Sequence, residues 1–384
     1  MTPAMKNVTK TIVLLPGDGI GPEVIGAAAG ILETCAAEFG HRFELPEFPI
    51  GGTAIDATGA PLPPETLEAC KTADAILLGA VGGPRWDALP LGRRPESGLL
   101  ALRKGLELYV NLRPIRLLEP LLFVSPLKPG RAGRIDLEIV RELAGGIYFG
   151  AHGIETVNRN VSPAATDSEE RGFDTETYTT GEIERIATFA FGRAESRSRR
   201  LTSVDKANVL ASSALWRKTV TRLAAGHTGV TVGHMYVDNA AMQLILAPEQ
   251  FDVLVASNLF GDILSDAAAG LVGSIGLVPS MSCGFGPPLY EPIHGSAPQL
   301  AGRDSANPIG AILCASLMLR ETFGLAAEAE WIERALDHVL ARGFRTADIA
   351  EPESSVVGCS ALTQLIREEM QASLEQVERY GWGV

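Results

Sequence analysis

Largely apolar segments alternate with amphipathic ones along most of the chain, and this alternation restricts the fold more than any other feature. Residues 11–16 and 73–82 are short and rich in apolar residues, as expected for buried strands. Residues 22–39, 306–320 and 328–341 carry apolar residues at the spacing of a helix with one buried face. Strands that alternate with helices in this way predict an α/β protein whose mixed or parallel sheet is flanked by helices.

Residues 151–173 interrupt the alternation. This segment is polar and has no periodicity, so we expect an exposed loop or arm that extends to about residue 178. The pattern after it predicts a strand at 174–180, a long charged helix at 181–200 and a second strand at 201–210.

Composition and charge exclude several classes of protein. The chain has 384 residues, 46% of them apolar, which is enough for a large core. The formal net charge of −13 argues against nucleic acid or an anionic membrane as the main partner. No window approaches the ~18 apolar residues of a membrane span, and the first ten residues lack the apolar core of a signal peptide. Five scattered cysteines without a CxxC pair indicate reduced thiols, so we expect a cytoplasmic protein.

The segment LPGDGIGPEV, residues 15–24, follows the first predicted strand and opens the first predicted helix. Strand, glycine turn and helix is the usual setting of a dinucleotide-phosphate loop. Here the spacing is GxGxG rather than GxGxxG, and no clear acid ends a second strand about 20 residues later. The segment therefore predicts a tight turn with Pro22 in the first helical turn, rather than the phosphate loop of a classical Rossmann fold.

Asp262 and Asp266 are four residues apart in NLFGDILSDAA, residues 258–268. On a helix they share one face, where both carboxylates are within reach of one cation. A solvated acidic face is the alternative, but it fits poorly with the apolar neighbours. A third acid, Asp238, also lies in an apolar-rich segment, and three carboxylates without a Cys or His cluster suit Mg²⁺ or Mn²⁺.

Arg103 and Arg113 flank the end of a predicted helix in LLALRKGLELYVNLRP. Two surface arginines are the simpler interpretation, yet Arg113 lies between apolar residues, where an unpaired charge is costly. Near a metal, two guanidiniums form a receptor for a dicarboxylate, because the planar fork matches a carboxylate.

Lys206 lies beside Asp205 in TSVDKANV and is either a surface lysine or, close to a metal, a general base. Tyr178 in DTETY is its candidate acid partner. Residues 289–302 are rich in Gly and Pro, and such a turn can bind phosphate through backbone amides.

Ten motifs occur in the order seen in the metal-dependent β-decarboxylating dehydrogenases, the family that acts on isocitrate and isopropylmalate. The resemblance covers about residues 10 to 375, and ten ordered motifs are far more specific than any one of them. The motifs are LPGDGIGPEV, LLGAVGGPRWD, LRKGLELYVNLRP, VRELAGGIYFG, DTETY, TSVDKANVL, HMYVDNAAMQL, NLFGDILSD, EPIHGSAP and ANPIGAIL.

The resemblance implies a two-domain fold of the isopropylmalate dehydrogenase type and a homodimer with shared active sites. Residues 1–108 and 273–384 would form the cofactor-side domain. Residues 109–272 would form the domain that carries the dimer interface and the metal and substrate residues.

The resemblance also assigns roles within the site. Arg103 and Arg113 would bind the malate carboxylates, and Asp262 and Asp266 would bind the metal with Asp238 of the other subunit. Lys206, also from the other subunit, and Tyr178 would transfer protons. The cofactor and the substrate side chain would meet a further set, namely Ile20, Glu96, Leu99, Leu100, Glu291, His294, Gly295, Ser296, Ala297, Gln299 and Asn307.

The implied reaction is the oxidation by NAD, with Mg²⁺ or Mn²⁺, of (2R,3S)-3-isopropylmalate to 4-methyl-2-oxopentanoate and CO₂, a step in leucine biosynthesis. Leu99 and Leu100 favour a branched alkyl group over the carboxymethyl group of isocitrate.

Two positions depart from the family pattern. After GGIYFG the family usually has a Pro-Arg-Gly or Pro-Lys-Gly step, whose cation is a third carboxylate contact, whereas this chain has Ala151, His152 and Gly153. His152 would substitute weakly, and Arg159 is a second replacement. Gln299 stands where NAD-using relatives usually have Asp and NADP-using relatives usually have Lys. With no cationic cluster nearby in sequence, we expect NAD.

Two alternatives stay open from the sequence. A paralogous enzyme could act on another 3-substituted malate in a specialised pathway, which the His152 region motivates. A non-catalytic regulatory subunit could share the fold, but such subunits typically lack the metal and base residues that this chain retains.

Overall fold

One ten-stranded mixed sheet dominates the computed structural model, which describes residues 7–132, 135–158 and 168–380. The strands, in chain order, are β1 Thr9–Gly17, β2 Arg42–Glu44, β3 Ala75–Ala80, β4 Leu108–Arg116, β5 Asp136–Glu142, β6 His152–Asn158, β7 Ser168–Asp174, β8 Arg200–Asp205, β9 Thr231–Tyr236, β10 Val253–Ala256, β11 Pro279–Gly284, β12 Leu289–Pro292, β13 Phe344–Arg345 and β14 Ser355–Val356.

Helices fill the connections between these strands. They are α1 Gly21–Phe39, α2 Gly52–Thr58, α3 Pro64–Thr72, α4 Pro95–Gly105, α5 Pro129–Ala132, α6 Thr180–Ser196, α7 Ala211–Ala224, α8 Val237–Leu246, α9 Asn258–Leu271, α10 Ile309–Glu321, α11 Ala326–Ala341 and α12 Cys359–Tyr380. Among the helices of the described ranges, none is long and apolar enough to cross a membrane.

The strand order is β2-β1-β3-β12-β11-β4-β5-β10-β8-β9. Neighbours are parallel toward both edges, but β11 is antiparallel to β12 and β4, and β4 is antiparallel to β5. This arrangement confirms the predicted mixed α/β fold and differs from the parallel sheet of a classical Rossmann domain. The predicted domain division falls between β11 and β4 in this order, and the division itself stays a prediction.

Both faces of the sheet are covered, which explains why its strands are continuously apolar. Along β1, Ile12 and Leu14 belong to one buried cluster, whereas Val13 and Leu15 belong to another. Successive side chains of a strand point to opposite faces, so a strand buried on both sides has no polar alternation. Helices α1, α10, α11 and α12 pack together over the first cluster.

The segment expected to be a loop contains a two-stranded antiparallel ribbon. Strands β6 and β7 pair from His152 opposite Asp174 to Asn158 opposite Ser168, and the side chains of β7 are exposed. Because β7 is solvated along its whole length, the sequence lacks the period of two that usually reveals a strand.

The strand predicted at 174–180 is wrong. β7 ends at Asp174, and the residues after it are irregular until α6 begins at Thr180. Thr179 and Glu182 form a capping box, in which the Thr179 side chain accepts from the Glu182 backbone and the Glu182 side chain accepts from the Thr179 backbone. This Thr-x-x-Glu pattern is the helix-start signal that the strand prediction missed.

The loop LPGDGIGPEV, residues 15–24, contacts three segments that are distant from it in sequence. Gly19 has a φ of 60°, and a Cβ there would lie 1.9 Å from the carbonyl oxygen of Ser296. The buried Asp18 carboxylate accepts backbone N–H groups from Gly52, Thr53 and Gly82, each at 2.8 Å. The glycines thus allow close backbone approach, and Asp18 fixes the turn to α2 and to the end of β3.

We expect Asp18→Ala to lower the free energy of unfolding by about 3 kcal/mol or more, because three backbone donors lose a charged acceptor. Denaturant unfolding with a spectroscopic probe measures the change. The exposed Asp87 offers a matched control, and Asp87→Ala should stay within ~0.5 kcal/mol of wild type. Equal stability of the two variants would contradict this account of the loop.

Candidate active site

Three arginines converge beside the centre of the sheet. Arg103 comes from α4, Arg113 from β4 and Arg141 from β5, and Arg113 and Arg141 are only 8% and 5% exposed. Arg141 pairs in register with Asn111, and Arg113 follows Asn111 by two residues, so Arg113 and Arg141 lie on the same face of the sheet. Burial, together with repulsion from Arg113 and Arg103, lowers the pKa of Arg141 to about 10, although Asp262 counteracts the shift.

Carboxylates compensate each of the three guanidinium groups. Arg113 donates from Nη1 to Asp266 at 2.7 Å and from Nη2 to Asp262 at 3.5 Å. Arg141 Nη1 forms an ion pair with the same oxygen of Asp262. Arg103 Nη2 donates to Glu291 Oε1 at 2.5 Å. Buried cations without such partners would be strongly destabilising, so the acids and the arginines form one unit.

Helix α9 presents Asp262 and Asp266 to the arginines. The two acids are one turn apart on the same face of the helix, as the spacing predicted. Both form ion pairs with arginines, so they are more than a solvated acidic face. The Asp266 side chain is nonetheless 66% exposed, so one side of the acid pair is open to a further ligand.

Lys206 and Asp238 form a separate pair. Lys206 follows β8, Asp238 lies in the first turn of α8, and Nζ is 2.7 Å from Oδ1. Hydrogen bonding to Lys206 lowers the pKa of Asp238. Across the described ranges, no three Asp, Glu, His or Cys side chains come close enough to hold a metal ion. One chain therefore brings Asp262 and Asp266 together but leaves Asp238 apart from them.

The structure does not bring Tyr178 to the arginine and aspartate cluster, contrary to the sequence expectation. Its hydroxyl is buried and accepts the backbone N–H of Asn258 at 2.8 Å, and its ring packs edge-on against Trp216. Burial and the nearby charge of Glu142 raise the pKa of Tyr178 far above its usual range. Glu142 follows Arg141 in β5 and so points to the opposite face of that strand, away from the cluster.

Tyr148, rather than Tyr178, contacts this cluster. Its hydroxyl donates to Asp262 Oδ2 at 2.9 Å, and its ring lies 5.8 Å from the guanidinium of Arg141. Burial and the charge of Asp262 raise the pKa of Tyr148. Both Tyr148 and Arg141 stand in the motif VRELAGGIYFG, so the motif carried the signal, but the sequence reasoning assigned neither of them a role.

His152 does not substitute for a third cation at the cluster. Its Nδ1 lies 2.9 Å from the carbonyl oxygen of Gly150, and among the described residues it makes no contact with the cluster. Arg159, the other replacement considered, lies outside the described residues. Arg141 provides the third guanidinium instead.

A cleft of about 240 Å³ extends from the arginines toward the predicted cofactor residues. Its lining includes Glu96, Leu99, Arg103, Arg113, Glu291, His294 and Gly295. Leu100 is exposed on the same helix as Leu99. The structure thus places several of the predicted substrate and cofactor residues along one opening.

Beyond this cleft, several predicted cofactor residues are held by backbone contacts. Ile20 is buried and donates its N–H to the carbonyl of Ser296 at 2.8 Å. His294 is buried with its Nε2 unpartnered within the described chain, and burial lowers its pKa. A buried ring nitrogen without a partner fits a site that a polar ligand completes.

The remaining predicted cofactor residues form the edge of this region. Asn307 donates to Asp348 at 3.0 Å, and Ala297 adopts a positive φ of 38° in the turn before Gln299, whose side chain is exposed.

Comparisons with known proteins extend over nearly the whole chain. Residues 11–366 match the protein family described as isocitrate/isopropylmalate dehydrogenase. A 3-isopropylmalate dehydrogenase of Bacillus licheniformis is 53% identical over 95% of this chain and 96% of its own length. One from Nitratidesulfovibrio vulgaris is 53% identical over 94% of this chain and 99% of its own length.

Solved structures share the fold over nearly the whole chain. An isocitrate dehydrogenase from Methylococcus capsulatus has a TM-score of 0.81 at 31% identity, covering 94% of this chain and 99% of that one. A β-decarboxylating dehydrogenase from Thermococcus kodakarensis has a TM-score of 0.76 at 34% identity, covering 97% of this chain and 99% of that one.

Proposed function

Because the chain belongs to the isocitrate/isopropylmalate dehydrogenase family, we propose that it oxidises and decarboxylates (2R,3S)-3-isopropylmalate to 4-methyl-2-oxopentanoate and CO₂. The reaction uses NAD and a divalent metal and belongs to leucine biosynthesis in the cytoplasm. Relatives that are 53% identical over nearly their whole length carry the name of this activity. The observation that carries the proposal is the cluster of three arginines facing two carboxylates at the end of a cleft that Leu99 lines.

The arginines bind the two carboxylates of the malate. Their present partners, Asp262, Asp266 and Glu291, show that each guanidinium can engage a carboxylate in this geometry. A guanidinium presents parallel donors that match a carboxylate, so three of them orient a dicarboxylate as well as attract it.

The alkyl substituent of the substrate lies against Leu99 and Leu100 on α4. A branched alkyl group gains from contact with these apolar side chains, whereas a third carboxylate would lose water there without a cationic partner. Glu96, one turn earlier on the helix, adds a negative charge that further disfavours an isocitrate-like group.

Asp262, Asp266 and the Asp238 of a second copy would hold Mg²⁺ or Mn²⁺. Oxygen ligands are what these hard cations prefer, and the open side of Asp266 leaves room for one. When bound, the ion supplies positive charge that stabilises the developing negative charge on the substrate oxygen, and NAD accepts the hydride.

Lys206 and Tyr148 carry out the proton transfers. Lys206, as the neutral amine, takes the proton of the C2 hydroxyl, and the neighbouring Asp238 orients the amine and stabilises the ammonium group that forms. Tyr148 donates a proton to the enolate left after CO₂ departs, since its hydroxyl already lies against Asp262 and its raised pKa keeps it protonated at neutral pH.

Residues along the cleft and in the EPIHGSAPQ segment would hold NAD. Ile20 would line the nicotinamide end, and His294, whose Nε2 has no partner among the described residues, would offer that nitrogen to the adenosine end. Gln299 would bond the ribose hydroxyls, and its uncharged amide would relax the discrimination against NADP.

A homodimer completes the site. Exposed apolar side chains lie next to the Lys206–Asp238 pair and next to the Asp262–Asp266 pair. Met242 is one turn beyond Asp238 on α8. Ile263, 57% exposed, lies between Asp262 and Asp266 in the sequence of α9. Ile245 and Leu246 extend this surface along α8. A two-fold interface formed by α8 and α9 would bury these residues and bring the Lys206–Asp238 pair of each copy toward the cluster of the other.

The two alternatives from the sequence now have less support. The paralogue was motivated by a missing third cation, and Arg141 supplies one. The regulatory subunit would lack catalytic groups, whereas Lys206, Asp238, Asp262, Asp266 and Tyr148 are all present.

A substrate panel tests the proposed function. The purified protein should reduce NAD with 3-isopropylmalate and Mg²⁺ or Mn²⁺ at least ~100-fold more efficiently than with isocitrate, tartrate or unsubstituted malate, because the alkyl group gains binding energy only against Leu99 and Leu100. The reaction should stop when the metal is chelated. A preference for another 3-substituted malate would favour the paralogue, inactivity with every substrate would favour the regulatory subunit, and a strong preference for NADP would overturn the cofactor assignment.

A pair of tyrosine variants separates the two candidate proton donors. Tyr148→Phe should lower kcat by about 10²–10⁴-fold, because the proton donor is lost. Tyr178→Phe should retain most of the turnover but lower the free energy of unfolding by about 1–3 kcal/mol, because the buried N–H of Asn258 loses its acceptor. Steady-state kinetics and denaturant unfolding of both variants provide the measurement, and the reverse pattern would restore Tyr178 to the catalytic role.

A further inference from the structure

The guanidinium of Arg141 is held on one edge by a neutral side chain. Asn258 Oδ1 accepts from Arg141 Nε at 3.1 Å and from Nη2 at 2.8 Å, while Nη1 is directed to Asp262. One edge of the Arg141 guanidinium is therefore fixed by an amide, and another edge points into the candidate active site.

Asn258 is itself fixed by three further bonds. Its Nδ2 donates to the carbonyls of Gly145 at 2.9 Å and Leu143 at 3.5 Å, and its backbone N–H donates to the Tyr178 hydroxyl at 2.8 Å. The residue is 1% exposed and begins α9, where backbone donors have no partner within the helix. Asn258 thus has one orientation, in which Oδ1 faces Arg141.

The same face of α9 also holds the stem of Arg141. A Cβ at Gly261 would lie 2.7 Å from both Cβ and Cγ of Arg141, so the helix touches the arginine at a point where only glycine fits. Gly261 and Asp262 follow Asn258 by three and four residues and share this side of the helix with it. One helix face therefore supplies a neutral acceptor, close packing and a carboxylate to a single arginine.

The neutrality of the acceptor has a chemical consequence. Asp262 already forms one ion pair with Arg141, and a second carboxylate at residue 258 would form a side-on pair and leave a net negative charge beside the guanidinium, whereas an amide accepts the same hydrogen bonds and adds no charge. Arg113 has a comparable arrangement, since its Nε donates to Asn111 Oδ1 at 2.9 Å. Both buried arginines thus combine a neutral amide on one side with acids on the other.

We infer that Asn258 is a positioning residue that aims Arg141 at a substrate carboxylate and, because it is uncharged, preserves the positive charge with which Arg141 binds that carboxylate. This inference rests on the proposed oxidation of a 3-alkylmalate. Asn258 acts through Arg141 and does not touch the substrate, so its substitution changes substrate binding more than the chemical step.

The test compares Asn258→Asp, Asn258→Ala and Asn258→Ser with wild type in the metal-loaded dimer. For 3-isopropylmalate, we expect KM to rise about 10-fold or more in Asn258→Ala and at least as much in Asn258→Asp, while kcat changes less than about threefold and KM for NAD is unchanged. Asn258→Ser retains a small neutral acceptor and should give a smaller rise than Asn258→Ala. Gln364→Glu, on the exposed side of α12, adds the same negative charge and serves as the control that leaves KM unaltered.

Calorimetric titration of 3-isopropylmalate with Mg²⁺ into each variant gives an independent readout of binding. A KM in Asn258→Asp equal to that of wild type would overturn the charge argument, and unaltered KM in all three variants would overturn the positioning role. A parallel fall in kcat and in the affinity for both substrates, together with a lowered melting temperature, would show a merely structural role and would also overturn the inference. Inactivity of the wild type with 3-isopropylmalate, in contrast, would overturn the proposed function and not the geometry around Arg141.

Discussion

Charge compensation among three arginines and three acids is the constraint on which the rest of the structure depends. Arg113 and Arg141 are almost fully buried, and a buried guanidinium without a partner would make the fold unstable. Asp262 and Asp266 provide that compensation from α9, and Glu291 provides it for Arg103 from β12. The arginines proposed to bind a dicarboxylate and the acids proposed to bind a cation therefore stabilise each other in the structure.

The sheet topology brings these groups together from distant parts of the chain. The antiparallel pairing of β4 with β5 puts Arg141 opposite Asn111 and near Arg113, and β11 lies on the other side of β4. A wholly parallel sheet would not place the end of β5 beside the middle of β4. The mixed centre of the sheet is thus the feature that brings Arg113 and Arg141 together, while the parallel strands toward both edges are covered by helices and supply the core.

The sequence predicted the class of fold and part of the candidate site. The continuous apolar strands and amphipathic helices predicted the α/β architecture, and the i,i+4 spacing placed Asp262 and Asp266 on one helix face, because both signals are local. Arg141 and Tyr148 were missed because their meeting with Asp262 depends on strand register and on the turn after β5, which no local pattern encodes. The position of Tyr178 was not predictable for a related reason, since the capping box at Thr179 sets the path of the chain there and the Tyr178 hydroxyl accepts the backbone N–H of Asn258.

The central claim is that each active site combines the arginines, Asp262 and Asp266 of one chain with Lys206 and Asp238 of a second copy. The most direct test is a heterodimer of one Lys206→Met chain and one Asp262→Asn chain, co-expressed with different tags and purified through both. Each homodimer should be inactive, whereas the heterodimer pairs the intact Lys206 of one chain with the intact Asp262 of the other at one of its two sites. The account predicts about half of the wild-type turnover per dimer with 3-isopropylmalate, NAD and Mg²⁺. A heterodimer no more active than either parent would contradict the shared site.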